Sequence, residues 1–260
     1  MEANFFSGAA KKEVVLSTGM RIELPVRYYD WSWMSALFPA PVAAVERLLP
    51  SGKLKPLLLL PGTTMVALAA FEYRKIAGVE PYNEFTLSVP VQYEPAVNVP
   101  GMPVLFHPLL SPERYTKIGM YVHQLPVTTQ PARDFGVEIW GYPKFVADIS
   151  FEDRGDIRRC RLSADGKDIV TLDVRKAATK ARSLSFYTYT VKDGRILRAL
   201  VQTEGQYFIS RFPGGASFTP GDHPLGEEIK ALRMARTAVG RVHAPQVQSM
   251  LHEASERLPL

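Results

Sequence analysis

The chain has 260 residues, 46% hydrophobic and 22% charged, with a formal charge of +5, a balance that excludes a disordered or low-complexity protein. A single cysteine, Cys160, excludes an internal disulfide framework and fits a reducing compartment, so a cytoplasmic location is expected. The opening Met1-Glu2-Ala3-Asn4-Phe5-Phe6-Ser7 carries an early acid and no long apolar run, and does not read as a signal peptide.

In chain order, residues 1–20 read as an irregular arm with a short strand around Val14-Val15-Leu16. Ile22–Tyr29 is a second strand, carrying Arg27, and Trp31 and Trp33 follow it. Pro39-Ala40-Pro41 opens a short helix over 42–49, with Pro50 closing it. The apolar stretch Leu54–Phe71 is broken by Lys55, Pro56, Pro61, Gly62 and Thr63-Thr64, so it reads as two buried strands and not as a membrane span. Phe85 to Tyr93 alternates, with Phe85, Leu87, Val89, Val91 and Tyr93 on one face, and Pro90 on the other face argues for an edge or bulge. Ile118–Leu125 is a further strand.

From Lys144 onward six strands are expected, at 144–151, 157–163, 169–174, 185–191, 196–203 and 207–212. Asp165-Gly166 and Asp193-Gly194 fall between strand pairs, a strong hairpin signal. Two helices are expected at the end of the chain. One spans Glu227–Ala238; the other places Val247, Met250, Leu251, Ala254 and Leu258 on one helical face. No repeat or linker divides the chain. The pattern is therefore one mainly β domain over 1–260, an antiparallel barrel or cone with a few peripheral helices.

Most chemistries find no foothold. The five histidines, His107, His123, His223, His243 and His252, do not stand at metal-ligand spacing with one another or with Cys160. Serine-nucleophile and phosphate-loop motifs are absent, so neither a metal nor a nucleotide cofactor is expected. The basic run Arg158-Arg159-Cys160-Arg161 lies on a strand near Asp153 and Asp156 and reads as a solvated strand edge, not a nucleic-acid surface.

What remains is Glu138-Ile139-Trp140-Gly141-Tyr142-Pro143-Lys144-Phe145. Gly141 and Pro143 constrain the backbone entering Lys144, and bulky apolar neighbours strip water from its amine. At an ordinary pKa near 10.4 a lysine is neutral only about one part in 2,500 at pH 7, so freeing the amine costs roughly 4.6 kcal/mol. Burial against Trp140, Tyr142 and Phe145 is expected to depress the lysine's pKa and supply much of that cost.

Glu138…Gly141-Tyr142-Pro143-Lys144 resembles the lysine motif of the acetoacetate decarboxylase superfamily, itself the standard illustration of a lysine made nucleophilic by its surroundings. The likeness extends in family order through Pro25-Val26-Arg27-Tyr28-Tyr29, the helix ending at Leu49-Pro50, Tyr82-Asn83-Glu84 and the lysine motif, and more loosely to His223-Pro224-Leu225.

The resemblance implies that Lys144 forms an iminium with a small keto acid, that Glu84 assists proton transfer, and that Arg27 holds the substrate carboxylate. Tyr82 and Tyr142 are expected beside the substrate, and the protein is expected to be a homo-oligomer with no nucleic-acid or membrane partner. Two positions depart from the family. Phe145 stands where acetoacetate decarboxylase carries a second lysine, and Ala69 where it carries a second glutamate. Decarboxylation of a β-keto acid such as acetoacetate is therefore expected alongside two alternatives. One is aldol condensation and dehydration of pyruvate with an aldehyde on the same lysine; the other is a barrel that binds a keto acid or apolar ligand without catalysis.

Overall fold

Alternating apolar residues at 85–93, and again at 34–40 and 66–70, demand that each strand bury one face, and the architecture provides two layers to do so. The computed structural model describes residues 5–94, 115 and 117–260. Along it run β1 (Lys12–Val15), β2 (Arg21–Leu24), β3 (Val26–Pro41), the helical turn α1 (Val42–Val45), β4 (Leu54–Pro56), β5 (Leu58–Leu60) and β6 (Thr63–Ile76). They are followed by β7 (Tyr82–Tyr93), β8 (Ile118–Gln124), helix α2 (Gln130–Trp140), β9 (Asp148–Arg154), β10 (Ile157–Ala164) and β11 (Lys167–Arg175). The chain ends with β12 (Lys180–Lys192), β13 (Arg195–Ser210), β14 (Ala216–Pro220), helix α3 (Pro224–Ala231) and β15 (Gly240–Pro259).

The large sheet runs β4-β7-β8-β12-β13-β15-β3-β6-β5, and a further pairing of β7 with β6 closes seven of its strands into a barrel. Every pair in that ring is antiparallel except β8 with β12. A second sheet, β14-β11-β10-β9, lies against the barrel. The main apolar core sits between the two. Met34, Phe38, Leu68, Phe85, Leu87 and Val89 of the barrel meet Ile149, Leu162, Val170 and Leu172 of the second sheet in one cluster. Strands buried on both faces lose the polar alternation of an exposed sheet, which accounts for the near-continuous apolar run in β6. Because this core lies outside the ring, the inward face of β7 (Glu84, Thr86, Ser88, Pro90) is left to line a cavity.

The two Asp-Gly pairs are hairpin tips as expected. Both residues of each take positive φ (51° and 72°, 50° and 67°), the geometry of the tight turn that matches strand twist. Pro90 falls where the neighbour of β7 changes from β6, paired up to Ser88, to β4, paired from Val91. Its missing N–H therefore breaks no ladder, and its carbonyl accepts from Leu57 N at 2.9 Å.

Several elements differ from the sequence reading. The expected C-terminal helix over 247–258 is instead the twenty-residue strand β15. Its pairings shift register between Ala244 and Val247 and between Val247 and Ser249, and such bulges break the two-residue alternation and leave helix-like spacing. A similar shift at Tyr28–Asp30–Trp31 hid the continuity of β3 past Tyr29. The strands expected at 196–203 and 207–212 are the single strand β13, and the helix expected at 227–238 starts at Pro224 and ends at Ala231. Residues 144–147 are not strand: the chain leaves α2 at Gly141 and joins β9 only at Asp148.

Helix α2 was not expected from sequence, although its signals are present. Thr129 Oγ1 accepts from Ala132 N at 3.4 Å as the N-cap, a proline stands in the first turn, and Gly141 (φ 65°) closes the helix in the left-handed region. A Cβ at Gly141 would also stand 2.6 Å from the Val191 carbonyl oxygen and 2.7 Å from Lys192 Cβ. Gly141→Ala therefore combines a left-handed alanine, about 1–2 kcal/mol, with a backbone clash. Urea unfolding is expected to read a loss of about 2 kcal/mol or more. A loss under about 0.5 kcal/mol would mean that α2 ends differently.

Candidate active site

Backbone pairing brings the lysine segment to the carboxylate. Val127 bridges Glu84 on one side and Val146 on the other, making a small irregular extension of the barrel end. Phe85 N donates to Pro126 O at 3.0 Å and Thr128 N to Asn83 O at 3.0 Å, tying the 126–128 segment to β7. The same segment binds the lysine loop through Leu125 N to Pro143 O (3.1 Å), Val127 N to Phe145 O (2.9 Å) and Ala147 N to Val127 O (2.9 Å). Glu84 and Lys144, sixty positions apart, are thereby held by main-chain hydrogen bonds on both sides.

Their side chains meet. Lys144 Nζ donates to Glu84 Oε2 at 2.8 Å, with the two side chains only 3% and 9% exposed. Tyr73 Oη donates to the other carboxylate oxygen at 3.3 Å. The ammonium position lies 5.0 Å from the ring centre of Phe135, 5.4 Å from that of Tyr82 and 5.9 Å from that of Tyr142, within cation–π range of all three. Gly136 of α2 makes room for this side chain: a Cβ there would stand 2.5 Å from Lys144 Cε and 3.0 Å from Nζ. Tyr28 and Tyr82 hydroxyls lie 3.4 Å apart, and Tyr142 Oη pairs with Thr188 Oγ1 at 2.8 Å.

The pair sits in the lining of a cavity of about 190 Å³ inside the barrel. Tyr28, Tyr73 and Tyr142 line the cavity beside the pair, and Trp31, Trp33 and Phe71 continue it along β3 and β6. The indole N–H groups of Trp31 and Trp33 and the Thr86 hydroxyl, all on this wall, have no hydrogen-bond partner among the described residues. No group of three or more His, Cys, Asp or Glu among the described residues is placed to share a metal ion.

Of the five residues expected at the site, four therefore gather: Lys144, Glu84, Tyr82 and Tyr142. Arg27 does not. It is buried, but Tyr28 is the residue that lines the cavity, and neighbours on a strand point to opposite faces. The Arg27 guanidinium donates instead to Glu23 Oε1 at 2.7 Å. Phe145 is likewise turned away, packing in the core between the two sheets, so the apolar shell around the amine comes from Phe135, Tyr82 and Tyr142. Glu138, first residue of the motif, is a surface staple: its carboxylate accepts from Ser17 Oγ at 2.6 Å and Ser17 N at 2.8 Å, which hold it below the usual carboxylate range. Phe135, Gly136, Tyr73 and Thr188 were missed from sequence; the first two sit on α2, which the pattern did not reveal. His107 lies outside the described residues.

Burial pushes the phenols of Tyr28, Tyr73, Tyr82 and Tyr142 up from their ordinary value, and the Glu84 charge adds to it in each. Near neutrality all four are neutral hydroxyls able to donate. An unfolded tyrosine ionises near pH 10, so above that pH the unfolded chain releases protons that the folded chain keeps. Stability conferred at lower pH is expected to fall as pH rises beyond about 10, with tyrosinate absorbance from these four appearing only as the chain unfolds. Their ionisation in fully folded protein near pH 10 would contradict the burial described.

Comparison with known proteins agrees with the architecture. The family model for acetoacetate decarboxylase matches residues 15–254. No curated protein matches the sequence. Among solved structures, acetoacetate decarboxylase from Legionella pneumophila superposes with a TM-score of 0.61 at 16% identity, covering 97% of this chain and 94% of that one. The enduracididine biosynthesis enzyme MppR, complexed with the condensation product of pyruvate and imidazole 4-carboxaldehyde, gives 0.60 at 16% identity, covering 97% and 98%. An acetoacetate decarboxylase-like enzyme from Sphingomonas wittichii gives 0.53 at 14%, covering 96% and 100%. With the family model spanning nearly the whole chain and the fold shared, this protein belongs to the acetoacetate decarboxylase family.

Proposed function

We propose that the protein is a Schiff-base-forming lyase acting on a small keto acid through Lys144, and that its reaction is decarboxylation of a β-keto acid such as acetoacetate. The observation that carries this reading is the buried amine–carboxylate pair, 2.8 Å apart at one end of an aromatic cavity. An amine is a nucleophile only without its extra proton, and Glu84 stands at hydrogen-bond distance to take it. The free amine adds to the ketone carbon. The proton returns from Glu84 as the hydroxyl leaves as water, giving an iminium.

The bond to the carboxylate then breaks, its electron pair moving to the iminium nitrogen as CO2 departs. The enamine takes a proton at carbon, and water releases the ketone and restores the amine. We assign that proton movement to Glu84 and the neutral hydroxyls of Tyr82 and Tyr142, whose ring centres lie 5.4 and 5.9 Å from the amine. With Arg27 paired to Glu23, the buried donors without a partner on residues of this wall are the two indole N–H groups, the Thr86 hydroxyl and Arg241 Nε.

The second reading uses the same lysine. The iminium of pyruvate loses an α-proton, and the resulting enamine adds to an aldehyde and sheds water. Phe145 and Ala69, in place of the second lysine and second glutamate the resemblance implies, are the observations that favour it. A barrel that merely binds keto acids is the reading from outside catalysis.

Borohydride reduction followed by mass spectrometry, run separately with acetoacetate and with pyruvate, distinguishes these. The decarboxylase predicts a reduced adduct at Lys144 that has lost CO2 with acetoacetate, no adduct in Lys144→Ala, and adduct formation slowed roughly 10²–10⁴-fold in Glu84→Gln. Equal adduct in wild type and Lys144→Ala would place the chemistry elsewhere, and no adduct at all would leave the binding barrel.

A further inference from the structure

The cavity is too long for the substrate that the lysine chemistry alone requires. On β7 its lining begins at Glu84 and continues through Thr86 and Ser88 to Pro90, alternate residues on one face of the strand. Six residues of strand at about 3.3 Å each is roughly 20 Å. A four-carbon keto acid, with bonds near 1.5 Å, spans roughly 5 Å. The volume of about 190 Å³ can be set beside an engineered apolar cavity of about 150 Å³, which is enough to hold benzene.

The wall is built to leave this space open. Ala69 pairs with Ser35 on one side and Thr86 on the other, and Ala67 pairs with Ser88, so small side chains stand together across three adjacent strands. All of them line the cavity. Trp33, Phe71 and Phe186 face the same space with broad apolar surfaces. Interiors that serve only stability are packed to crystal-like density, whereas concave apolar volume with a few convergent polar groups is the form of a ligand site. Ala69 is also the position where the family resemblance implies a glutamate. Its replacement by alanine removes both a charge and the side chain that would cross the cavity.

We infer that the keto acid carries a bulky apolar substituent, an aryl ring or a medium-length alkyl chain, which lies along the barrel beyond Lys144 against Ala67, Ala69 and Phe71. The inference rests on the proposed lysine chemistry for the position of the keto group, but the apolar chamber can be tested without it. Each methylene buried there should improve affinity roughly fourfold.

The experiment compares half-saturating concentrations for borohydride trapping of acetoacetate, 3-oxooctanoate and 3-oxo-3-phenylpropanoate. The two larger acids should saturate at concentrations at least about 100-fold lower. Ala69→Phe, with its fold checked by circular dichroism, should raise both values at least about 30-fold more than it raises that of acetoacetate. Ala67→Leu gives a milder obstruction should the larger change unfold the chain. A parallel arm titrates Lys144→Ala with 2-octanone and acetophenone, neither of which needs an amine, and follows the fluorescence of Trp31 and Trp33.

Quenching by these ketones that Ala69→Phe weakens supports the chamber even if no keto acid is trapped, in which case the lysine chemistry alone falls. Equal half-saturation by all three acids, or equal damage to all three by Ala69→Phe, overturns the inference while leaving the lysine chemistry intact.

Discussion

The buried contact between Lys144 and Glu84 is the interaction that the rest of this structure is arranged to maintain. Removing two charged groups from water is expensive, and a buried pair seldom returns more stability than apolar residues of the same size would. The molecule nevertheless holds it by main-chain hydrogen bonds from two directions and clears a path for the lysine with a glycine in mid-helix. The Tyr73 phenol, kept neutral by burial, completes the hydrogen bonding of the carboxylate without adding a competing charge.

The division of labour between the two sheets makes that pair possible. In an ordinary closed barrel of this size, side chains from opposite walls fill the interior. Here the outward faces of β3, β6 and β7 find their apolar partners in the second sheet, so much of the burial that stabilises the fold takes place outside the ring. The inward faces are then free to carry Glu84, Thr86 and small residues without destabilising the whole.

How far the sequence revealed this depended on which interaction set each feature. The lysine motif was legible because backbone constraint is a local property, and the alternation of 85–93 was legible for the same reason. Glu84 was reached through its place in the family order. The placement of Arg27 was not legible. Its burial and its position in the family order both fit a site residue, yet which way it points depends on the register of β3 against β15 and on the bulge just after it. The same kind of irregularity disguised β15 as a helix. Helix α2 escaped notice because its buried positions, Ala132, Phe135, Gly136 and Trp140, are few and include a glycine, so its caps were the stronger signal.

The parallel pairing of β8 with β12 in the ring has a consequence for how such a protein can change over time. Two antiparallel neighbours can be joined by a tight turn, but parallel neighbours require the chain to travel back along the sheet before it re-enters. That return journey contains α2, the lysine loop and strands β9–β11. Lys144 thus rides on a detour and not on a stave of the ring. Lineages can lengthen, tilt or rewrite the detour and so move the amine relative to a fixed wall, while the hydrogen-bonded hoop beneath it stays closed.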